Sequence, residues 1–238
     1  MYEDGHTKQM FKQIKVIGFD ADDTLWVNEP FYQQVEKEFC VIMKPYLIEK
    51  ETSAELFKTE MQNLEIYGYG AKGFLLAMIE TALRATNGKI STLEINKIIE
   101  IGKTLLTMPI HILAGVEEVL QKLQGQYKLI LVTKGDLLDQ ERKLLKSGLI
   151  DYFHHIEIMS DKHENNYKKL LAHLGIEPAE FLMVGNSIKS DILPVINIGA
   201  KAVHVPFEVT WQHESNHSIP DCEAFITISE ISEILNIL

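Results

Sequence analysis

Five short apolar runs, and the uneven way they are spaced, constrain this chain more than any other feature. IKVIGFD (Ile14 to Asp20), KLILVT (Lys128 to Thr133), HIEIM (His155 to Met159), FLMVG (Phe181 to Gly185) and KAVHV (Lys201 to Val205) each have the length of a strand. Branched and aromatic residues dominate them, and polar residues or glycine follow. Near-continuous apolar runs suit parallel strands buried on both faces. Between the later runs lie helical patterns: Gly115 to Gln124, a stretch stopping at Gly148, another stopping at Gly175, and SDILPVINIG stopping at Gly199. Strand alternating with helix from about 114 to 205 predicts βαβ units and an α/β, doubly wound (Rossmann-like) parallel sheet.

Residues 25–113 break the rhythm, and no strand pattern appears there. Phe31, Val35, Phe39 and Ile42 follow helical spacing. Thr52 with Glu55, and Ser91 with Glu94, read as capping boxes. Asn87-Gly88 reads as the end of a helix that starts near Ala71. The chain therefore reads as a discontinuous α/β core, 1–24 and 114–238, interrupted by an all-helical block at 25–113.

Charge narrows the partners. The net charge is −11, from 23 basic and 34 acidic residues. The helical block holds 9 basic and 11 acidic residues, leaving 14 of the 23 and 23 of the 34 to the core. An acidic core favours a cation and disfavours nucleic acid or an anionic membrane. No apolar run of about 18 residues occurs, and MYEDGHTKQM has no apolar signal segment. The two cysteines, Cys40 and Cys222, have no metal-site spacing. A cytoplasmic, reduced chain is expected, as a monomer or weak homodimer.

In an open α/β sheet, ligands bind beyond the carboxyl ends of the strands. Those ends carry Asp20, Asp22, Asp23 and Thr24; then Thr133, Lys134 and Gly135; then Ser160, Asp161 and Lys162; then Asn186, Ser187 and Asp191. Carboxylates crowded at one rim repel unless a cation or proton lies between them. Hard oxygen donors without Cys or clustered His select Mg²⁺. Beside such a metal, a carboxylate can be a nucleophile, a second can be acid and then base, and a lysine can neutralise phosphoryl oxygens. Asp23 reads as structural, since alternation points it away from Asp20 and Asp22. Trp26 reads as a hinge, a pocket wall or plain packing, and the turn Tyr67-Gly68-Tyr69-Gly70 as a helix junction or a loop closing over substrate.

FDADDTLW, Thr133 in LVTKGD, Lys162, and VGNSIKSD resemble, in order and spacing, the four motifs of the haloacid dehalogenase superfamily. The helical block after the first motif is similar to that family's cap. The resemblance implies a phosphatase with Asp20 as nucleophile, Asp22 as acid/base and Thr24 fixing the loop. It implies that Thr133 holds the phosphoryl group, that Lys162 bridges it to Asp20, and that Thr24, Thr133, Lys134 and Lys162 bind substrate. Mg²⁺ would rest on Asp20, the Asp22 carbonyl, Asn186 and Asp191. The family usually has Asp where this chain has Asn186. The expected substrate is a small phosphorylated metabolite, a sugar phosphate or a mononucleotide. A dehalogenase is disfavoured by Asp22, because halide leaves without a proton. A receiver domain is disfavoured by chain length and by the helical block. A non-catalytic phospho-ligand binder on the same scaffold is the remaining alternative.

Overall fold

A computed structural model of the chain describes residues 9–214 and 224–238; Cys222 and the first eight residues lie outside them. The chain divides into two compact units. One comprises Met1–Glu29, Ile110–Lys134 and Lys143–Leu238, and the other Pro30–Pro109 and Gly135–Arg142.

The first unit is built on a six-stranded, all-parallel sheet in the order β3-β2-β1-β4-β5-β6. Its strands are β1 (Val16–Phe19), β2 (Lys128–Lys134), β3 (His155–Met159), β4 (Phe181–Gly185), β5 (Lys201–His204) and β6 (Phe225–Thr227). β1 is central, with Phe19 opposite Leu131 on one side and Val184 on the other. Side chains alternate between two cores, as the pleat requires. Ile17, Phe19, Leu131 and Val184 pack with Val116, Val119 and Leu120 on one face. Val16, Ile130, Val132 and Met183 pack with Tyr167 and Leu170 on the other. Gly18 is dictated by this packing: a β-carbon there would lie 2.7 Å from the Phe181 ring.

The sheet unit differs from the sequence reading in three places. β1 is shorter than the apolar run, so Asp20 stands just past its end. SDILPVINIG is not one regular helix: a π-helical turn, Ile188–Ile192, precedes a five-residue helix, Leu193–Asn197. β6 is a sixth strand with no alternating pattern of its own. It is three residues long and is defined by its register with β5, Ala202 opposite Phe225.

The second unit contains α1 (Glu29–Met43), α2 (Glu49–Tyr67), α3 (Ala71–Ala85) and α4 (Thr92–Thr107). Val35, Phe39, Met43, Leu56, Phe74, Met78, Ile98 and Leu105 form its core. Ser91 and Glu94 make the reciprocal capping box at the start of α4, with Ser91 Oγ 3.2 Å from the Glu94 N–H. Thr52 does not cap. α2 begins one turn earlier at Glu49, and the Thr52 hydroxyl donates back to the Ile48 carbonyl at 3.1 Å. The segment Gly135–Arg142 belongs to this unit: Lys72 Nζ lies 2.9 Å from both Asp136 oxygens, and Arg142 Nη1 donates to the Leu106 carbonyl at 3.2 Å. No helix among the described residues is long and apolar enough to cross a membrane.

Candidate active site

β1 hands its chain into a tight turn. The Asp20 N–H still bonds the Val184 carbonyl at 2.9 Å, and the Ala21 carbonyl then accepts from the N–H groups of Thr24, Leu25 and Trp26. Asp23 takes the left-handed region, φ 63°. This turn aims successive acidic side chains in different directions. Asp23 turns along its own stretch of chain, where its carboxylate accepts from the N–H groups of Asn28 at 2.8 Å and Glu29 at 3.0 Å. Burial pushes the Asp23 carboxyl up to about 7, against those two bonds.

Asp20 is buried at the centre of a polar cluster. Its Oδ1 lies 2.5 Å from Lys162 Nζ, and the same ammonium lies 2.7 Å from Asp191 Oδ1. Lys162 is 2% exposed and Asp191 1%, so this is a dry carboxylate–ammonium–carboxylate bridge. Burial opposes the Lys162 charge, but Asp191 and Asp20 outweigh it and hold the ammonium above the ordinary lysine range. Burial pushes the Asp191 carboxyl up to about 7 despite Lys162 beside it, with Asp20 adding to the rise. The other Asp191 oxygen accepts the Ser187 N–H at 3.0 Å.

Thr24 joins the two loops. Its hydroxyl lies 3.0 Å from Asp20 Oδ2 and 3.2 Å from Asn186 Oδ1, and it accepts the Asn186 N–H at 3.1 Å. His204 Nε2 lies 3.1 Å from the Asn186 carbonyl, which can only accept, and burial holds the imidazole below its usual range. Thr227 Oγ1 sits 3.3 Å from the other ring nitrogen. β5 and β6 thus support Asn186 from behind.

The sequence candidates separate into two groups. Asp20, Thr24, Lys162, Asn186 and Asp191 are joined directly. Thr133 stands buried near the end of β2, two residues beyond the Phe19–Leu131 pair. Asp22 is turned elsewhere: its carboxylate receives Trp26 Nε1 at 2.7 Å and Lys143 Nζ at 3.0 Å to each oxygen. Lys134 donates to Ser190 Oγ at 2.8 Å and pairs with Glu214, which also takes the hydroxyls of Ser187 and Ser190. Burial opposes the Glu214 charge, but Lys134 and Ser190 overcome it and hold the carboxyl below its ordinary range. Trp26 is fully buried within the sheet unit's own core.

Four participants were not singled out from sequence for the site: Lys143, Glu214, His204 and Gly185. Lys143 alone left a trace. Its helix buries Gln140, Lys143, Leu144 and Ser147, a stripe at helical spacing that is mostly polar, while Leu137, Leu138 and Leu145 are exposed. A lysine on the inward stripe needs a carboxylate partner.

The oxygens suit a hard cation. A hydroxyl carries one hydrogen, so Thr24 cannot satisfy Asp20 Oδ2 and Asn186 Oδ1 together. One strong acceptor is left over, and both are oxygen. Among the described residues no group of three or more His, Cys, Asp or Glu gathers to hold a metal. An ion at this point would therefore also rely on amide, backbone or water oxygens, as Mg²⁺ commonly does.

Comparison with known proteins agrees with this architecture. The profile of the haloacid dehalogenase-like hydrolases matches residues 14–199. A haloacid dehalogenase-like family hydrolase from Xanthomonas campestris superposes with a TM-score of 0.84 at 37% identity, covering 93% of this chain and 88% of that one. Glyceraldehyde 3-phosphate phosphatase of Pyrococcus furiosus is 28% identical over 134 residues, 52% of this chain and 53% of that protein. N-acylneuraminate-9-phosphatase of Mus musculus is 32% identical over 92 residues, 37% of each. The chain spans about half, or less, of the length of these two curated relatives. The matched profile runs from the start of the apolar run before Asp20 through the glycine that ends the helix after Asp191, and on that match this chain belongs to the haloacid dehalogenase-like hydrolases.

Proposed function

We propose that this chain is a Mg²⁺-dependent phosphatase of a small phosphorylated metabolite, a sugar phosphate or a mononucleotide, acting through an aspartyl-phosphate on Asp20. The observation that carries the reading is the buried Asp20–Lys162–Asp191 bridge, with Asp20 Oδ2 and Asn186 Oδ1 converging on one Thr24 hydroxyl. Two relatives named as phosphatases of small phosphorylated compounds support phosphate over halide.

Asp20, the Asn186 amide oxygen and the Asp22 backbone carbonyl would hold Mg²⁺, with Asp191 serving mainly to anchor Lys162. When bound, the metal supplies neutralisation of phosphoryl charge. Asp20 attacks phosphorus, and the ester P–O bond breaks as a new P–O bond forms to its carboxylate. Asp22 gives a proton to the departing alkoxide, then takes one from the water that attacks the aspartyl-phosphate. That second attack releases inorganic phosphate and regenerates Asp20. Lys162 fixes the nucleophile's orientation and offsets charge on the transferring group. Thr133 and Lys134 bind the phosphoryl group and the substrate. The inserted helical unit is the cap in this reading.

The test is a panel of phosphomonoesters assayed for phosphate release with and without Mg²⁺. Release that requires the metal, and that falls by at least about 10³-fold in Asp20→Asn, is the expected result. Halide release from 2-haloacids without metal would overturn the reading, as would an Asp20→Asn protein that keeps its phosphatase activity.

A further inference from the structure

The acidic turn after β1 is sorted by two lysines. Lys162 takes Asp20, and Lys143, from the helix α5 (Leu137–Ser147) that follows β2, takes Asp22. We propose that Lys143 is a positioning residue that sets the orientation of the Asp22 carboxylate for proton transfer. The proposal rests on the reading of Asp22 as acid and base.

Three contacts carry it. Lys143 Nζ lies 3.0 Å from both Asp22 oxygens, so one ammonium spans the carboxylate. It also lies 2.8 Å from Asn28 Oδ1, which fixes the ammonium from a second side. The Trp26 indole N–H, on a fully buried ring, donates to Asp22 Oδ1 at 2.7 Å. The Lys143 side chain is 5% exposed and that of Asp22 is 23% exposed. A surface ion pair contributes little, but an ammonium buried this far is strongly unfavourable unless paired and hydrogen-bonded. Its location is thus tied to Asp22, and Asp22 is tied to it.

The chemical consequence concerns aim. A general acid must reach the leaving oxygen within hydrogen-bond distance and in the right direction. The turn alone does not provide this, because neighbouring Asp23, in the same turn, gives its carboxylate to the Asn28 and Glu29 N–H groups instead. Lys143, Asn28 and Trp26 together hold the Asp22 carboxylate in one rotamer beside the nucleophile's turn. Lys143 would act on the reaction through Asp22, whose carboxylate its ammonium spans.

Lys143→Met, Lys143→Gln and Lys143→Arg should be compared, alone and combined with Asp22→Asn. Steady-state kcat and KM are measured on an alkyl phosphomonoester and on 4-nitrophenyl phosphate, with thermal melting as the folding control. For Lys143→Met the expected result is a roughly 10- to 100-fold fall in kcat on the alkyl ester, which needs protonation to leave. KM should change by less than about twofold, the aryl ester should lose far less, and Lys143→Arg should recover most of the rate. In the Asp22→Asn background, Lys143→Met should cost the alkyl ester nothing further. If Lys143→Met does not fold, Lys143→Gln is judged by the same comparison. Equal losses on both esters, losses that multiply with Asp22→Asn, or an unchanged rate would overturn the positioning role while leaving the phosphatase reading standing. A wild-type protein that hydrolyses neither ester would instead overturn the phosphatase reading, and with it this proposal.

Discussion

The Asp191 carboxylate fills the space that a side chain on Gly185 would need. A β-carbon at 185 would lie 2.3 Å from Asp191 Oδ2 and 2.4 Å from its Cγ. Gly185 ends β4, and the π-helical turn brings Asp191 back over it. Gly185→Ala should therefore push Asp191 away and loosen Lys162, which Asp191 holds. Displacement by about 1 Å corresponds to a loss of roughly 10²-fold in kcat/KM. Overpacking should cost about 1–3 kcal/mol of stability. Kinetics on the preferred ester and a denaturant titration check both.

If Asn186 ligates Mg²⁺ as proposed, Asn186→Asp should tighten the metal by on the order of tenfold, because a carboxylate would replace a neutral amide. Turnover should fall at the same time, since the new charge repels the phosphoryl group. Asn186→Ala should weaken the metal instead. Calorimetric Mg²⁺ titration of the substrate-free protein reads the affinity without reliance on rate. An unchanged affinity in both variants would remove Asn186 from the ligand set.

Glu214 competes for Lys134. If Lys134 binds substrate, Glu214→Ala should lower KM for an anionic ester by about tenfold, the scale of one charged hydrogen bond, with kcat little changed. Lys134→Ala should raise KM, and the double variant should resemble Lys134→Ala. A KM that Glu214→Ala leaves unmoved would assign the pair a structural role.

Stability should carry a pH signature from the helical unit. Glu60, on α2, is pushed up to about 8 by burial first and by Glu36 second, from 4.5 when unexposed to either. Between those values the folded state holds a proton that the unfolded chain releases. Folding is therefore favoured below about pH 4.5, and this contribution is lost as pH rises through about 8. Glu60→Gln should stabilise the protein relative to wild type at pH 8, by on the order of 1–2 kcal/mol, and much less at pH 4.5. Paired melts at the two pH values decide it.

The sheet was legible because β1, β2 and β4 at its centre are buried on both faces, so their sequences are nearly continuous in apolar residues. β6 was not, since three residues give no period and its place is set by pairing with β5. Thr52 misled because the capping pattern depends on local sequence, whereas α2's start is one turn earlier. Asp20, Thr24, Lys162 and Asn186 could be collected because each follows the end of a strand. Where Asp22 and Lys134 point could not. Their partners, Lys143 and Glu214, are charged residues in ordinary-looking stretches, and only tertiary placement makes them special.

The central position of β1 sets a timetable for assembly. Asp20 meets Lys162 across 142 positions, and Thr24 meets Asn186 across 162. Each such loop must close before its contact returns any energy, whereas α2, α3 and α4 pack as neighbours in sequence. A chain emerging from the ribosome can complete most of the helical unit while β1 is still an unpaired strand, waiting for partners not yet made. β1 is thus among the last segments to be fixed, and a product truncated before residue 162 would carry Asp20 without the lysine that pairs with it.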